Sequence, residues 1–218
     1  MKIDRLLDLF FQCKCPICSR STSDYLCVYC SRSLIACKLT NFCETKSPLP
    51  LFCWGSYDDA LKRGIATCKY QNQPNIATFL GQQMGKAWQQ DREAKALNKL
   101  HVVPIPLHPE KLKKRGFNQA ELLARGFCDI TNMPCRIDLL QRTKNTKPQM
   151  ETKSKEERLE NLAKAFVSPQ IKLKQPILLV DDIYTTGATM NEAIQTLTDA
   201  GLKVGAILVL ARTALQDR

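Results

Sequence analysis

Apolar positions along this 218-residue chain change their period several times. The densest run, Ile177-Leu178-Leu179-Val180, shows no polar alternation, which predicts a strand covered on both faces. Residues 51–57 read as a short strand with aromatics, and 101–107 as a buried strand running into a proline-stiffened loop. Residues 163–167 and 204–210 read as two further strands. Between them the spacing becomes helical. Ala60, Leu61, Ile65 and Cys68 mark a helix over 58–68, and a longer one is predicted over 76–97 with Asn75 as its cap. Helices over 118–130 and 190–200 follow, the second closed by Gly201 as the residue after its cap. Strands alternating with helices predict an α/β fold, a parallel sheet flanked by helices, with ligands beyond the carboxyl ends of the strands. The turn-rich stretch 45–50 predicts a boundary, separating a small module at 1–48 from a main domain at 49–218. The charged connection over 142–160 is long for two adjoining strands, and a lid or a disordered, mobile stretch is the expectation there.

Charge sharpens this picture because it is unevenly spread. The formal net charge is +11. Residues 101–174 hold 15 Lys and Arg against 8 Asp and Glu, whereas residues 175–218 hold 3 against 5. A basic middle suits polyphosphate substrates or nucleic acid. No apolar run approaches the roughly 20 residues that span a bilayer. Asp4, Arg5 and Asp8 interrupt any secretory core near the start. A cytoplasmic protein without a transmembrane segment is expected, reaching the inner face of the membrane only through partners.

Eleven cysteines in such a protein point to metal rather than to disulfides. Cys15-Pro-Ile-Cys18 and Cys27-Val-Tyr-Cys30 are two knuckles eight residues apart. Two residues between thiolates let both sulfurs reach one tetrahedral ion, and two such turns close a four-sulfur site. Structural Zn²⁺ is the expected ion, with iron as the competitor. Four thiolates around Zn²⁺ carry a net charge of −2, which lowers the true charge of the chain. Cys13, Cys37 and Cys43 lie near enough in sequence to serve as alternative ligands, while Cys53, Cys68, Cys128 and Cys135 read as ordinary buried cysteines.

The apolar strand at 177–180 runs directly into Asp181-Asp182-Ile183-Tyr184-Thr185-Thr186-Gly187-Ala188-Thr189. Two adjacent carboxylates at a strand end can accept hydrogen bonds from vicinal sugar hydroxyls or face Mg²⁺. The amides and hydroxyls of Thr185, Thr186, Gly187, Ala188 and Thr189 make an anion cradle at a helix start, where Gly187 admits a phosphate without a Cβ in the way. The segment resembles the phosphoribosyl-pyrophosphate (PRPP) signature of type I phosphoribosyltransferases. A second segment, Leu107 to Gln119, places four basic residues before Gly116 and a helix. It reads as a loop in which Lys114, Arg115, Gly116, Asn118 and Gln119 hold a pyrophosphate. Arg142 and Lys147 are expected to close over that group, and Lys69 with Tyr70 is placed on the acceptor side. Arg158 is expected to open the next ordered element, and His101 and His108 read as structural.

The knuckles, Cys68-Lys69-Tyr70, Val103-Pro104-Ile105-Pro106, Arg115-Gly116-Phe117-Asn118-Gln119, Arg142 with Gln149, Arg158 with Asn161, and the run from Asp181 to Thr189 occur in that order. Together they resemble the ComF family of bacterial competence proteins, which includes the DNA-utilisation proteins. The resemblance implies an amino-terminal zinc finger joined to a type I phosphoribosyltransferase-like domain. It also implies a role in natural transformation, handling incoming single-stranded DNA alongside other competence and DNA-processing proteins. Tyr184 stands where many members carry another side chain. Two functions follow: an enzyme transferring ribose 5-phosphate from PRPP to an acceptor the sequence does not name, or a PRPP-binding scaffold that handles DNA. For the second, Tyr70, Trp88 and Phe117 are the aromatics expected to stack on bases.

Overall fold

A computed structural model describes residues 13–44, 49–57, 59–97, 99–143 and 165–213. The main sheet is built on strand β8 (Ile177–Tyr184), which pairs in parallel with β9 (Val204–Arg212) on one side and β5 (His101–Pro104) on the other. Strand β4 (Leu51–Ser56) adds in parallel to β9, and the two-residue β3 (Cys43–Glu44) closes the edge antiparallel to β4. The order is β3-β4-β9-β8-β5, so four of five strands are parallel, as the alternating pattern predicted.

Alternation along the strands sends side chains to two separate cores. Phe52, Trp54, Val102, Leu178, Val180, Ala206, Leu208 and Leu210 face one side. There they meet helices α2 (Asp59–Tyr70), α3 (Pro74–Gln90) and α6 (Gln119–Thr131). Cys53, Val103, Leu179, Ile207 and Val209 face the other side and meet α7 (Ala188–Asp199) through Met190, Ala193 and Leu197. Helices α3 and α6 pass so closely that a Cβ on Gly81 would lie 2.2 Å from the Leu123 carbonyl oxygen. One on Gly126 would lie 2.3 Å from that of Thr78.

Several predicted elements are redrawn. The helix expected over 76–97 starts at Pro74, whose missing N–H costs nothing in a first turn, and Asn75 is not its cap. It ends at Gln90, where Asp91 leaves the helix and its carboxylate accepts from the Ala94 amide at 2.9 Å, opening the short α4 (Arg92–Ala96). Residues 109–115, expected as a loop, form helix α5 (Pro109–Arg115), begun by a His108 side-chain cap and stopped by Gly116 at φ 85°. The strand expected at 163–167 lies off the sheet: β7 (Phe166–Val167) pairs antiparallel with β6 (Gln141–Arg142) as a separate ribbon. Lys147, Gln149, Arg158 and Asn161 lie outside the described residues.

The cysteine-rich segment begins with a ribbon of β1 (Cys13–Lys14) and β2 (Ser21–Thr22) and continues into helix α1 (Val28–Ile35). It packs into the same core as the sheet through Leu26, Leu34 and Phe42. The Tyr25 hydroxyl donates to Gln73 Oε1 at 2.8 Å, just before α3.

Candidate functional site

Strand β5 stops pairing with β8 at Pro104 opposite Val180. Past that point, among the described residues, β8 pairs only with β9, Asp181 opposite Val209 and Tyr184 opposite Arg212, so its other edge is left unpaired by them at the carboxyl end. Asp181 and Asp182 emerge at this opening. The Asp182 amide donates to Asp181 Oδ1 at 2.8 Å, and Asp182 itself is buried. Desolvation, and then the neighbouring Asp182 charge, pushes the Asp181 carboxyl well above the usual carboxylate range.

Cations from two elements meet this pair, and a third element sets further ones beside them. Lys69, in the last turn of α2, forms an ion pair with Asp182. Arg142, on β6, has its guanidinium 5.3 Å from the centre of the Phe166 ring. Burial lowers its pKa, while the charges of Asp181 and Glu192 oppose that shift, which puts Arg142 in the field of the acidic pair. Lys111, on α5, is lowered by burial and then by Arg142 and Arg115. Arg115 donates to Gln119 across the α5–α6 corner. Gly116 takes the left-handed turn there, and its amide donates to the Leu112 carbonyl at 2.7 Å. Asn118 fixes the corner twice. Its Nδ2 donates to the Ile105 carbonyl at 3.0 Å and its Oδ1 accepts from the Ala120 amide at 3.1 Å. Asn118 and Gln119 are buried, whereas Lys114 is exposed.

On the far side of the carboxylates the chain turns through exposed Thr185 and Thr186 to Gly187, at φ 75°, which starts α7. Thr186 Oγ1 accepts from the Ala188 amide at 3.5 Å. Thr189 lies in the first turn, so the loop leaves amides and hydroxyls at a helix N-terminus. Tyr184 packs over this loop: a Cβ on Gly187 would meet its hydroxyl at 2.4 Å.

One participant carries no mark in the sequence. Glu192, one turn into α7, accepts from the Ala165 amide and ties β7 to the site. Cys68 is a buried core thiol, as expected. Burial is the main cause that raises it to about 11; Asp182 adds to this, and Lys69 and Arg115 oppose it. Lys69, expected on the acceptor side, makes its ion pair with Asp182, and its neighbour Tyr70 is open, at 81% exposed. Of the other aromatics expected to stack on bases, Trp88 is excluded by burial: its ring centroid is 4.7 Å from that of Phe52 and 5.5 Å from that of Phe127. Phe117 is half-buried against the same core.

A second cluster lies in the amino-terminal segment. The sulfurs of Cys15, Cys18, Cys27 and Cys30 all lie within 4.8 Å of one another, with Cys18 Sγ 3.5 Å from Cys27 Sγ. Cys27 caps α1, and Cys30 sits in its first turn. The first knuckle is closed by the Cys15 amide donating to Arg20 O at 2.9 Å and the Ser19 amide to Cys15 O at 2.8 Å. Burial raises the Cys15 thiol, but backbone amides outweigh it and bring the value down to about 6, close to the thiolate form a metal needs. Cys13, Cys37 and Cys43 are not part of this cluster. The donor set, four sulfurs converging on one point, fits a tetrahedral soft-metal site.

Residues 78–218 match the family model described as the phosphoribosyl transferase domain, more than half of the chain. Competence protein F of Haemophilus influenzae is 32% identical over 72% of this chain and 70% of its own length. Competence protein ComFC of Streptococcus pneumoniae is 38% identical over 51% of this chain and 47% of its own. The chain belongs to the ComF family of competence proteins. Its main domain is a phosphoribosyltransferase domain. The DNA utilization protein YhgH of Escherichia coli K12 is 28% identical over 91% of this chain and 90% of its own length. A solved structure of the allosteric regulatory enzyme of purine biosynthesis aligns at 15% identity and a TM-score of 0.39. It covers 62% of this chain, which spans 26% of that one. No helix among the described residues is long and apolar enough to cross a membrane.

Proposed function

We propose that the opening at the end of β8 binds PRPP with Mg²⁺, in a competence-associated protein that handles single-stranded DNA. The observation that carries the first part is the sequence of groups along one backbone stretch. An acidic pair, with Asp182 buried, leads through a left-handed glycine into a helix start, with Lys69, Arg115 and Arg142 near it. Asp181 and Asp182 would hold the ribose hydroxyls or the metal, and residues 185–189 the 5′-phosphate. Lys114, Arg115, Arg142 and Lys147 would hold the pyrophosphate, and Mg²⁺ would neutralise part of its charge. In a transferase the bond from the anomeric carbon to pyrophosphate oxygen breaks as the acceptor forms its own bond there. The protein then contributes mainly positioning and electrostatic preorganisation.

The DNA-handling part rests on the names of the relatives and on the basic middle of the chain, with Tyr70 as the one exposed member of its three expected stacking residues. The four-cysteine cluster is read as a structural Zn²⁺ site in a module over 1–48, ahead of the transferase-like domain at 49–218. The test is calorimetry of the full chain with PRPP and Mg²⁺, alongside single-stranded DNA titrations over a salt series. Asp181→Ala combined with Asp182→Ala is expected to abolish PRPP binding and leave DNA affinity within about twofold. Loss of both ligands together in a folded variant would rule out separate sites.

A further inference from the structure

Lys69 is no part of a phosphate cradle, yet its ammonium is paired with Asp182 inside the site, the two side chains 15% and 8% exposed. A carboxylate taken this far out of water needs a counter-ion, because the desolvation of an unpaired charge is costly. Packing sets where that counter-ion comes from. Lys69 lies in the last turn of α2, and on α2 Gly64 lies against Leu34 of α1, where a Cβ would be 2.9 Å from Leu34 Cδ2. Ile65, Cys68, Leu80, Leu123 and Leu210 wall the small hollow that holds the pair, and Gln119 completes it.

We propose that Lys69 is a resident counter-ion of Asp182, a positioning residue that holds the carboxylate in the ligand-free site and yields it when the ligand arrives. This rests on the reading of the site as a PRPP pocket. A divalent cation arriving alone would have to displace the ammonium from its carboxylate in a hollow walled mainly by apolar side chains, leaving that charge without a partner. Mg²⁺ arriving with a pyrophosphate brings an anion that accepts the released ammonium. The site therefore discriminates against bare metal and takes the metal with its polyphosphate. Lysine suits this duty, since its charge is compact and its stem flexible enough to swing between partners.

Mn²⁺ alone, followed by electron paramagnetic resonance and calorimetry on the full chain, tests the exchange. Lys69→Met is expected to bind Mn²⁺ at least tenfold more tightly than wild type, Lys69→Arg to match wild type, and Lys69→Met with Asp182→Asn to lose the gain. Melting temperatures supply a readout independent of metal: each single variant is expected to lower the midpoint, and the double variant by less than their sum. Lys69→Gln carries the same expectations should the methionine variant not fold. A folded Lys69→Met or Lys69→Gln protein that binds Mn²⁺ no better than wild type overturns the proposal, as do additive melting shifts. Failure of wild type to bind PRPP with Mg²⁺, beside a clear Mn²⁺ gain in Lys69→Met, would overturn the ligand assignment and leave the counter-ion role standing.

Discussion

Gly187 carries two separate constraints that a single substitution can pull apart. Its φ of 75° lies in the left-handed region, where a side chain costs about 1 kcal/mol. A Cβ there would also meet the Tyr184 hydroxyl at 2.4 Å, but that atom is the far end of a side chain and can turn away. The backbone penalty should therefore dominate. Gly187→Ala is expected to destabilise the chain by about 1–2 kcal/mol in denaturant melts. Adding Tyr184→Ala should recover less than half of that loss. Full recovery would mean that the contact with the ring, not the backbone, decides the position. PRPP affinity should fall further than stability, because a displaced Tyr184 enters the mouth of the loop. These residues were legible in the chain itself, since strand, acidic pair and glycine are contiguous. Lys69, Glu192 and Arg142 were not legible as neighbours of the pair. Each comes from a different element, and only the folded sheet brings them to one strand end.

Among elements, the crossing of α3 and α6 leaves the least room. Gly81 faces the Leu123 carbonyl and Gly126 faces that of Thr78, both main-chain atoms held in helices. Neither can turn aside as a side chain does. Gly81→Ala is expected to cost about 3 kcal/mol, at the upper end of what one added methyl costs in a packed core, despite the better helix propensity of alanine. Chemical denaturation would check it, and a cost below about 1 kcal/mol would show that the helices separate freely. Helix α6 also carries Asn118 and Gln119 at its start, so the same variant should weaken PRPP binding through the α5–α6 corner. The pattern of apolar residues identified both helices and came within one residue of the ends of α6, but ran α3 on past Gln90. Pro109 inside the start and Gly116 past the end bracket α5, signals masked by the uniformly basic composition between them. Asp91 broke α3 by offering its carboxylate to the next turn, a local competition that apolar spacing does not report.

At the scale of the whole molecule, the cysteine cluster and the sheet share one core. Leu26, Leu34 and Phe42 pack with Phe52, Trp54, Leu61 and Ile65, and β3 hydrogen-bonds along the edge strand β4. The Tyr25 hydroxyl is tied to Gln73, between the helix that carries Lys69 in its last turn and the one that crosses α6. A metal holding four sulfurs in place would therefore stabilise more than its own knuckles. Purified protein is expected to contain about one zinc per chain. Chelation should then lower the main thermal transition by several degrees rather than melt the amino-terminal segment alone. Hydrogen exchange locates the effect: amides of α2 and β4 should lose protection on chelation, while those of β8 and α7 should change least, being packed on the opposite core or central to the sheet. Leu34→Ala should reproduce the α2 change with the metal still bound, because it removes the side chain that lies against Gly64. An α2 that exchanges as slowly without metal as with it would show that the two halves fold independently. In that case the cysteine module could not influence where Lys69 sits.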